Sequence, residues 1–199
     1  MPKNCQISKH NGTATHKQII KKAERLFTKY SYTVVSMSDI ANLVKITKAA
    51  LYYHFTSKKE LYFEILEEAF NDFSQSLEKT INSNDSLEDR LRSMIITYIN
   101  FCLKKRDLAR LTMQRLSKKD KDIVRFLEKL KVKISKLIEP LIKEVLKHKR
   151  MHKENSQLVT YILIGVLNTF ITSEILSSKN KWNSEQIANQ IIALVFAKK

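Results

Sequence analysis

The sequence predicts an all-α protein in two parts, a small N-terminal three-helix unit and a larger helical C-terminal one. Three observations lead there. Glycine and proline number only two each in 199 residues, which leaves little material for tight turns. Apolar residues recur at intervals of three and four almost throughout. No alternating apolar–polar segment is flanked by turn residues, so no strand is expected. With 43% hydrophobic residues the chain can bury a sizeable core.

The elements follow in order. Residues 1–14 are polar and read as a tail. Thr15, with Gln18 three residues on, has the form of a capping box and opens the first helix. Ile19, Ile20, Ala23, Leu26, Phe27 and Tyr30 give that helix one apolar stripe. After a short link, Ser36 caps a second helix, and Asp39 sits where the helix dipole favours an acid. Met37, Ile40, Ala41 and Val44 form its buried side. Only a few residues separate Val44 from Thr47, which caps a third helix. Ser57 with Glu60 makes another capping box and opens a long fourth helix through about Leu77. Further helices are expected near 86–104, 107–117, 121–147, 155–177 and 184–197, with loops at 81–86 and 177–184. Pro140 falls inside one of them and should kink or break it.

Charge is unevenly placed along the chain, whose net charge is +16. Residues 1–60 hold 11 Lys/Arg against 3 Asp/Glu, residues 61–103 hold 3 against 8, and residues 104–150 hold 17 against 6. A basic block fits a polyanionic partner, either nucleic acid or an anionic membrane. For 104–150 a set of solvated helix faces explains the lysines equally well. Cys5 and Cys102 lie in separate segments and define neither a disulfide framework nor a zinc site. No apolar segment follows Met1, and no run of about 18 apolar residues is present, so a cytoplasmic protein with no membrane span is expected.

The segment Ile46 to Phe55, ITKAALYYHF, carries the functional signal. Two short helices joined by a tight turn make a helix-turn-helix, whose second helix enters the major groove N-terminus first. Thr47 and Lys48 stand at that end, where a hydroxyl and a cation reach base edges or phosphate. Ala49 and Ala50 are small enough for close backbone approach. Leu51 and Phe55, four apart, anchor the helix in the core of the small unit. Tyr52, Tyr53 and His54 offer donors along the backbone of the nucleic acid. Lys58 lies in the first turn of the next helix, where the dipole disfavours a cation, and a phosphate partner would explain it.

The stretch SMSDIANLVKITKAALYYHFTSKKELYFEIL resembles the DNA-binding domain of the tetracycline-repressor (TetR) family of transcriptional regulators. The resemblance covers about Thr15 to Leu66. It rests on Leu26-Phe27, Asp39-Ile40-Ala41, Leu51-Tyr52-Tyr53-His54-Phe55 and Ser57-Lys58-Lys59-Glu60-Leu61. It implies DNA contacts at Thr47, Lys48, Ala49, Ala50, Tyr52, Tyr53, His54 and Lys58. It also implies a DNA-binding domain in 1–60 and an effector-binding and dimerisation domain in 61–199. The implied function is that of a ligand-responsive repressor binding an inverted-repeat operator as a homodimer. The family usually has glycine where this chain has Lys45, and often a second where it has Ala49. A non-glycine residue in a left-handed turn costs about 1–2 kcal/mol. Either Lys45 bears that strain or the turn has another shape.

In the larger part, Met94, Tyr98, Phe101, Met113, Phe126 and Tyr161 are candidates to wall a pocket for a small apolar or aromatic effector, as the resemblance implies. The last two helices, about 155–177 and 184–197, look like the family's dimer interface. The first is apolar around most of its circumference, which a surface helix of a monomer would not be. Gly165 in its middle costs about 1 kcal/mol against alanine, and close helix–helix approach would explain it. Ile187, Ile191, Leu194 and Val195 mark one stripe on the second. No glycine-rich phosphate loop, metal-spaced cluster or nucleophile elbow is present in the sequence, so no enzyme, cofactor or metal is expected. Two rival readings remain at this point: a DNA-binding regulator answering to a protein partner, and a basic helical protein binding RNA or a membrane surface.

Overall fold

The computed structural model describes residues 6–30, 32–105, 121–176 and 183–196. Among them are eight α-helices: α1 (Gln6–Tyr30), α2 (Met37–Val44), α3 (Lys48–His54), α4 (Lys58–Ile81), α5 (Leu87–Lys104), α6 (Lys121–His148), α7 (Ser156–Leu176) and α8 (Ser184–Phe196). No strand occurs among the described residues. The helix expected near 107–117 lies outside them. Described residues up to Ala69 form one compact unit, and those from Phe70 a second.

In the first unit, α1 begins well before the expected cap. Thr15 lies inside the helix, which runs on from Gln6 without a break. A capping box is a local signal, and it yields where the preceding residues hold no proline and can continue the helix. The stripe itself is as expected: Ile19, Ile20, Ala23 and Phe27 are buried. α1 packs against α2, whose Ile40, Ala41 and Val44 are buried, as are Leu51, Phe55, Leu61 and Ile65 further along the unit. Phe27, Tyr32 and Tyr62 form an aromatic cluster with ring centroids 4.7 to 5.8 Å apart. Burial pushes the Tyr62 hydroxyl up to about 12.

Short helices need their ends satisfied. Ser36 Oγ accepts from the Asp39 amide at 3.2 Å, and Asp39 accepts from the Ser36 amide at 2.8 Å. The Ser36 hydroxyl, which donates to the same carboxylate at 2.7 Å, and the Ser36 amide together hold the Asp39 carboxyl below its ordinary range. At the other end of α2, Lys45 is left-handed, at φ 66° and ψ 45°. Its amide donates to the Asn42 carbonyl at 3.2 Å, and the Ile46 amide donates to Ala41 at 3.0 Å. This is a Schellman closure, with lysine where glycine is usual. Lys45 therefore bears the strain. Lys45→Gly is expected to raise stability by up to about 1 kcal/mol, read as a shifted midpoint in denaturant melts with an unchanged slope. A loss of stability would mean that the lysine side chain contributes more than its backbone costs.

The second unit repeats the device. Arg150 has φ 55°, and the Met151 amide closes α6 on Leu146 at 2.9 Å. α6 is unbroken at Pro140, contrary to the expected kink or break. The proline is exposed, so the hydrogen bond it cannot make is lost on the solvent side. Ser86 caps α5 through the Asp89 amide at 3.2 Å, and Asn183 and Gln186 bond reciprocally at the start of α8. The core joins α5 (Leu91, Met94, Ile95, Ile99) to α6 (Ile138, Leu141, Ile142), α7 (Leu167, Ile171) and α8 (Ala188, Ile192). Arg90 ties its edge: Nε donates to the Ile81 carbonyl at 2.7 Å while the two terminal nitrogens clasp Glu144 at 2.7 and 3.2 Å.

Gly165 faces outward on α7, and a Cβ placed there would meet nothing within 4 Å. Among the described residues, then, nothing makes the expected close approach. Leu158, Ile162 and Val166 share that outward exposure. Leu194 is also turned out, and does not join the stripe of Ile187, Ile191 and Val195 that packs on the core. By length and composition α7 could cross a membrane, which the sequence reading did not expect. Ser156 and Thr160, however, are buried polar residues bonded to Glu139 and to the Ser156 carbonyl.

Candidate nucleic-acid interface

Three residues, Lys45 to Thr47, separate α2 from α3, so the first unit is built around a helix-turn-helix. Thr47 is extended and its Oγ1 accepts from the Ala50 amide at 3.0 Å. That bond fixes where α3 starts. Leu51 and Phe55 are buried at 0% and 1% exposure, which fixes its rotation. The other side of α3 is open: Thr47, Lys48, Ala49 and Tyr52 are exposed, Tyr53 is 88% exposed, and Ala50 and His54 are half-buried. The Lys48 amine lies 6.0 Å from the centre of the Tyr52 ring. The structure thus brings seven of the eight sequence candidates onto one short helix and its cap.

Lys58 is placed differently. Its amine donates to the carbonyls of Tyr32 at 2.9 Å and Val35 at 2.8 Å, and sits 4.5 Å from the centre of the Tyr32 ring. Partial burial holds it below its ordinary range. A cation in the first turn of α4 is therefore explained from inside the molecule: it holds the loop before α2. The Ser57–Glu60 box is also shifted by one residue. Ser57 caps the Glu60 amide at 3.1 Å, but the Glu60 carboxylate accepts from the amide and hydroxyl of Thr56.

Sequence reasoning missed the brace behind α3. His16 of α1 stacks on Phe55 at 4.6 Å and bonds Glu64 of α4 at 2.5 Å. It also faces His54 at 5.8 Å. Burial, with His16 opposite, holds the His54 imidazole below its ordinary range. No local pattern announces these contacts, because their partners lie far apart in the chain.

Of the effector candidates, Met94 and Tyr98 are buried in the core of the second unit. Phe101 is half-buried and stacks on Phe73 at 4.5 Å, with Tyr98 edge-on to Phe73 at 5.2 Å. The Tyr98 hydroxyl donates to Asn168 Oδ1 at 2.9 Å, a polar pair whose members lie 70 residues apart in the chain. Phe126 is half-buried on α6, and Met113 lies outside the described residues. Tyr161 stands apart: it is 45% exposed beside Leu158 and Ile162, so it belongs to the outward face of α7. Among the described residues no group of His, Cys, Asp or Glu could hold a metal ion.

A tightly turned helix pair presenting an open, basic recognition helix defines a helix-turn-helix protein. Comparison with known proteins places it further. A family described as bacterial regulatory proteins, tetR family, matches residues 19–65, and a tetracyclin repressor-like C-terminal domain matches residues 84–198. The chain belongs to the TetR family of bacterial regulatory proteins. The biofilm operon negative transcriptional regulator IcaR of Staphylococcus epidermidis is 37% identical over 71 residues, 36% of this chain and 38% of that one. The chain thus matches well under half the length of this curated relative. The fatty acid degradation regulator FadR of Bacillus halodurans superposes with a TM-score of 0.78 at 16% identity, over 92% of this chain and 95% of its own. AibR, solved with isovaleryl coenzyme A and operator DNA, gives 0.71 at 18% identity, over 93% and 100%. At these identities the two structures share the fold.

Proposed function

We propose that this protein is a dimeric, sequence-specific DNA-binding transcriptional regulator, a repressor that releases an inverted-repeat operator when a small apolar or aromatic effector binds. The reading makes it a cytoplasmic protein and not an enzyme. Residues 1–60 act as the DNA-binding domain and 61–199 as the effector-binding and dimerisation domain. One observation carries it: α3 is fixed by its cap and by Leu51 and Phe55, yet leaves Lys48, Ala49, Tyr52 and Tyr53 open to a partner. Thr47, Lys48, Ala49 and Ala50 take the base edges, and Tyr52, Tyr53 and His54 the sugar–phosphate backbone. Lys58 serves by holding the loop before α2. The operator DNA and acyl-coenzyme A of the AibR structure support both halves of the proposal. So does the aromatic cluster of Phe73, Tyr98 and Phe101, whose one polar handle is the Tyr98–Asn168 pair.

The test is selection of duplex DNA by the full chain from a random pool, followed by competition with scrambled sequence. An enriched inverted repeat, resistant to scrambled competitor and released by acyl-coenzyme A or aromatic acids, is the expected result. Binding that scrambled DNA removes equally well would overturn sequence-specific recognition. Specific binding that no small molecule releases would leave the regulator in place and shift its control to a protein partner.

A further inference from the structure

The basic stretch of α6 has no part in the operator reading. At 3.6 residues per turn, Lys121, Arg125, Lys129, Lys133 and Lys136 fall within a sector of about 120°. All five are exposed. A rise of 1.5 Å per residue spreads them over about 22 Å of helix. Asp122 is the one acid in that sector between Lys121 and Lys136; Glu139, beyond the last of the five, shares the sector and is engaged by Lys143 at 3.3 Å and by the Ser156 hydroxyl at 2.8 Å. Glu128, at its edge, is bonded to Lys131 at 2.7 Å. Lys133 lies 5.4 Å from the centre of the Phe70 ring and keeps its charge at the surface. The opposite side of α6 carries Ile123, Ile134, Ile138, Leu141 and Ile142, all buried. The cations are therefore held in a straight row on a helix whose rotation the core fixes.

We propose that this face of α6 is a second site for the phosphate backbone of duplex DNA, independent of sequence and separate in its residues from α3. Such a row suits a linear polyanion, and a duplex presents one charge per about 1.7 Å of its axis. A bilayer fits less well. Amphipathic helices bind membranes by burying an apolar face among the lipids, and the apolar face of α6 is already spent on the protein core. The inference does not rest on the operator reading, since random DNA reports on it.

The test uses the full chain carrying Arg125→Gln, Lys129→Gln and Lys136→Gln together. Lys133 is left in place because of its ring contact. Affinity for a random duplex is measured by fluorescence anisotropy at several salt concentrations. The expected result is a loss of at least about tenfold and a salt slope flatter by about 2–3 per protomer. The charge-keeping triple Arg125→Lys, Lys129→Arg, Lys136→Arg should bind as the parent does. Unchanged affinity and slope in the glutamine triple would overturn the proposal. An equal loss in the charge-keeping triple would also overturn it, since charge would not be the cause. So would loss of binding to phosphatidylglycerol vesicles with DNA binding intact, which would make the face a lipid site. A Lys48→Ala variant, altered in base preference but still sensitive to the glutamine triple, keeps the two sites distinguishable.

Discussion

Ile162→Glu is expected to turn the proposed dimer into a monomer while leaving the fold intact. Ile162 is 57% exposed on the outward face of α7, between Leu158 at 59% and Val166 at 53%. Tyr161 and, on α8, Leu194 are also exposed. A contiguous apolar strip of this kind is unusual on the surface of a monomer and marks an interaction site. Two-fold pairing of α7 and α8 with their symmetry mates would cover it and give a four-helix bundle. Gly165 fits the same picture, since among the described residues nothing comes within 4 Å of a Cβ placed there. A two-fold axis brings the substituted glutamate in from both subunits, so two uncompensated charges are buried at once, at several kcal/mol each. Sedimentation should show single chains at concentrations where the parent is a dimer. Binding to an inverted repeat should fall about 100-fold or more, while binding to one half-site stays. The helical signal of the folded chain should persist, while thermal melting should fall and lose its dependence on protein concentration, because the stabilisation that a partner subunit supplies by mass action is gone. A dimer that survives the substitution would place the two-fold interface elsewhere.

What the sequence disclosed and what it withheld divide along a physical line. The caps at Ser36, Thr47 and Ser57 and the anchors Leu51 and Phe55 depend on residues within one or two turns, so they are readable in the chain order. The same locality misled at Thr15, where a capping box is present but the helix simply continues. Lys45 was readable as a conflict between residue and turn, and the left-handed φ resolves it in favour of strain. The inward face of α7 was not readable. A helix apolar on nearly every side carries no phase, so nothing in the chain order showed that Tyr161, a candidate to wall a pocket, is 45% exposed. The partners of Lys58 and His16 were not readable either. Tyr32 and Val35 are 26 and 23 residues from Lys58, and Glu64 is 48 from His16.

That last gap changes what substitution of the two motif lysines should do. Lys48 is the first residue of α3, exposed, with its amine free to reach guanine acceptors in the major groove. Lys48→Ala should cost about 1–3 kcal/mol on the operator and flatten the preference at one base pair in each half-site. Its stability should stay that of the parent. Lys58→Ala should do the opposite. It removes two charge-assisted hydrogen bonds to the loop that precedes α2, worth about 1–3 kcal/mol together after the exposure of the site is allowed for. Melts should therefore show the loss, and operator affinity should weaken only as far as the loosened loop lets α2 and α3 shift. The slope of log K against log salt should be unchanged, because no phosphate contact is lost. Denaturant melts of both variants, with anisotropy on a half-site series at several salt concentrations, separate the roles. A Lys58→Ala protein that melts like the parent but loses salt slope would mean that the amine leaves Tyr32 and Val35 for a phosphate on binding. Lys58 would then be a DNA contact, and its bonds to the loop a resting position only.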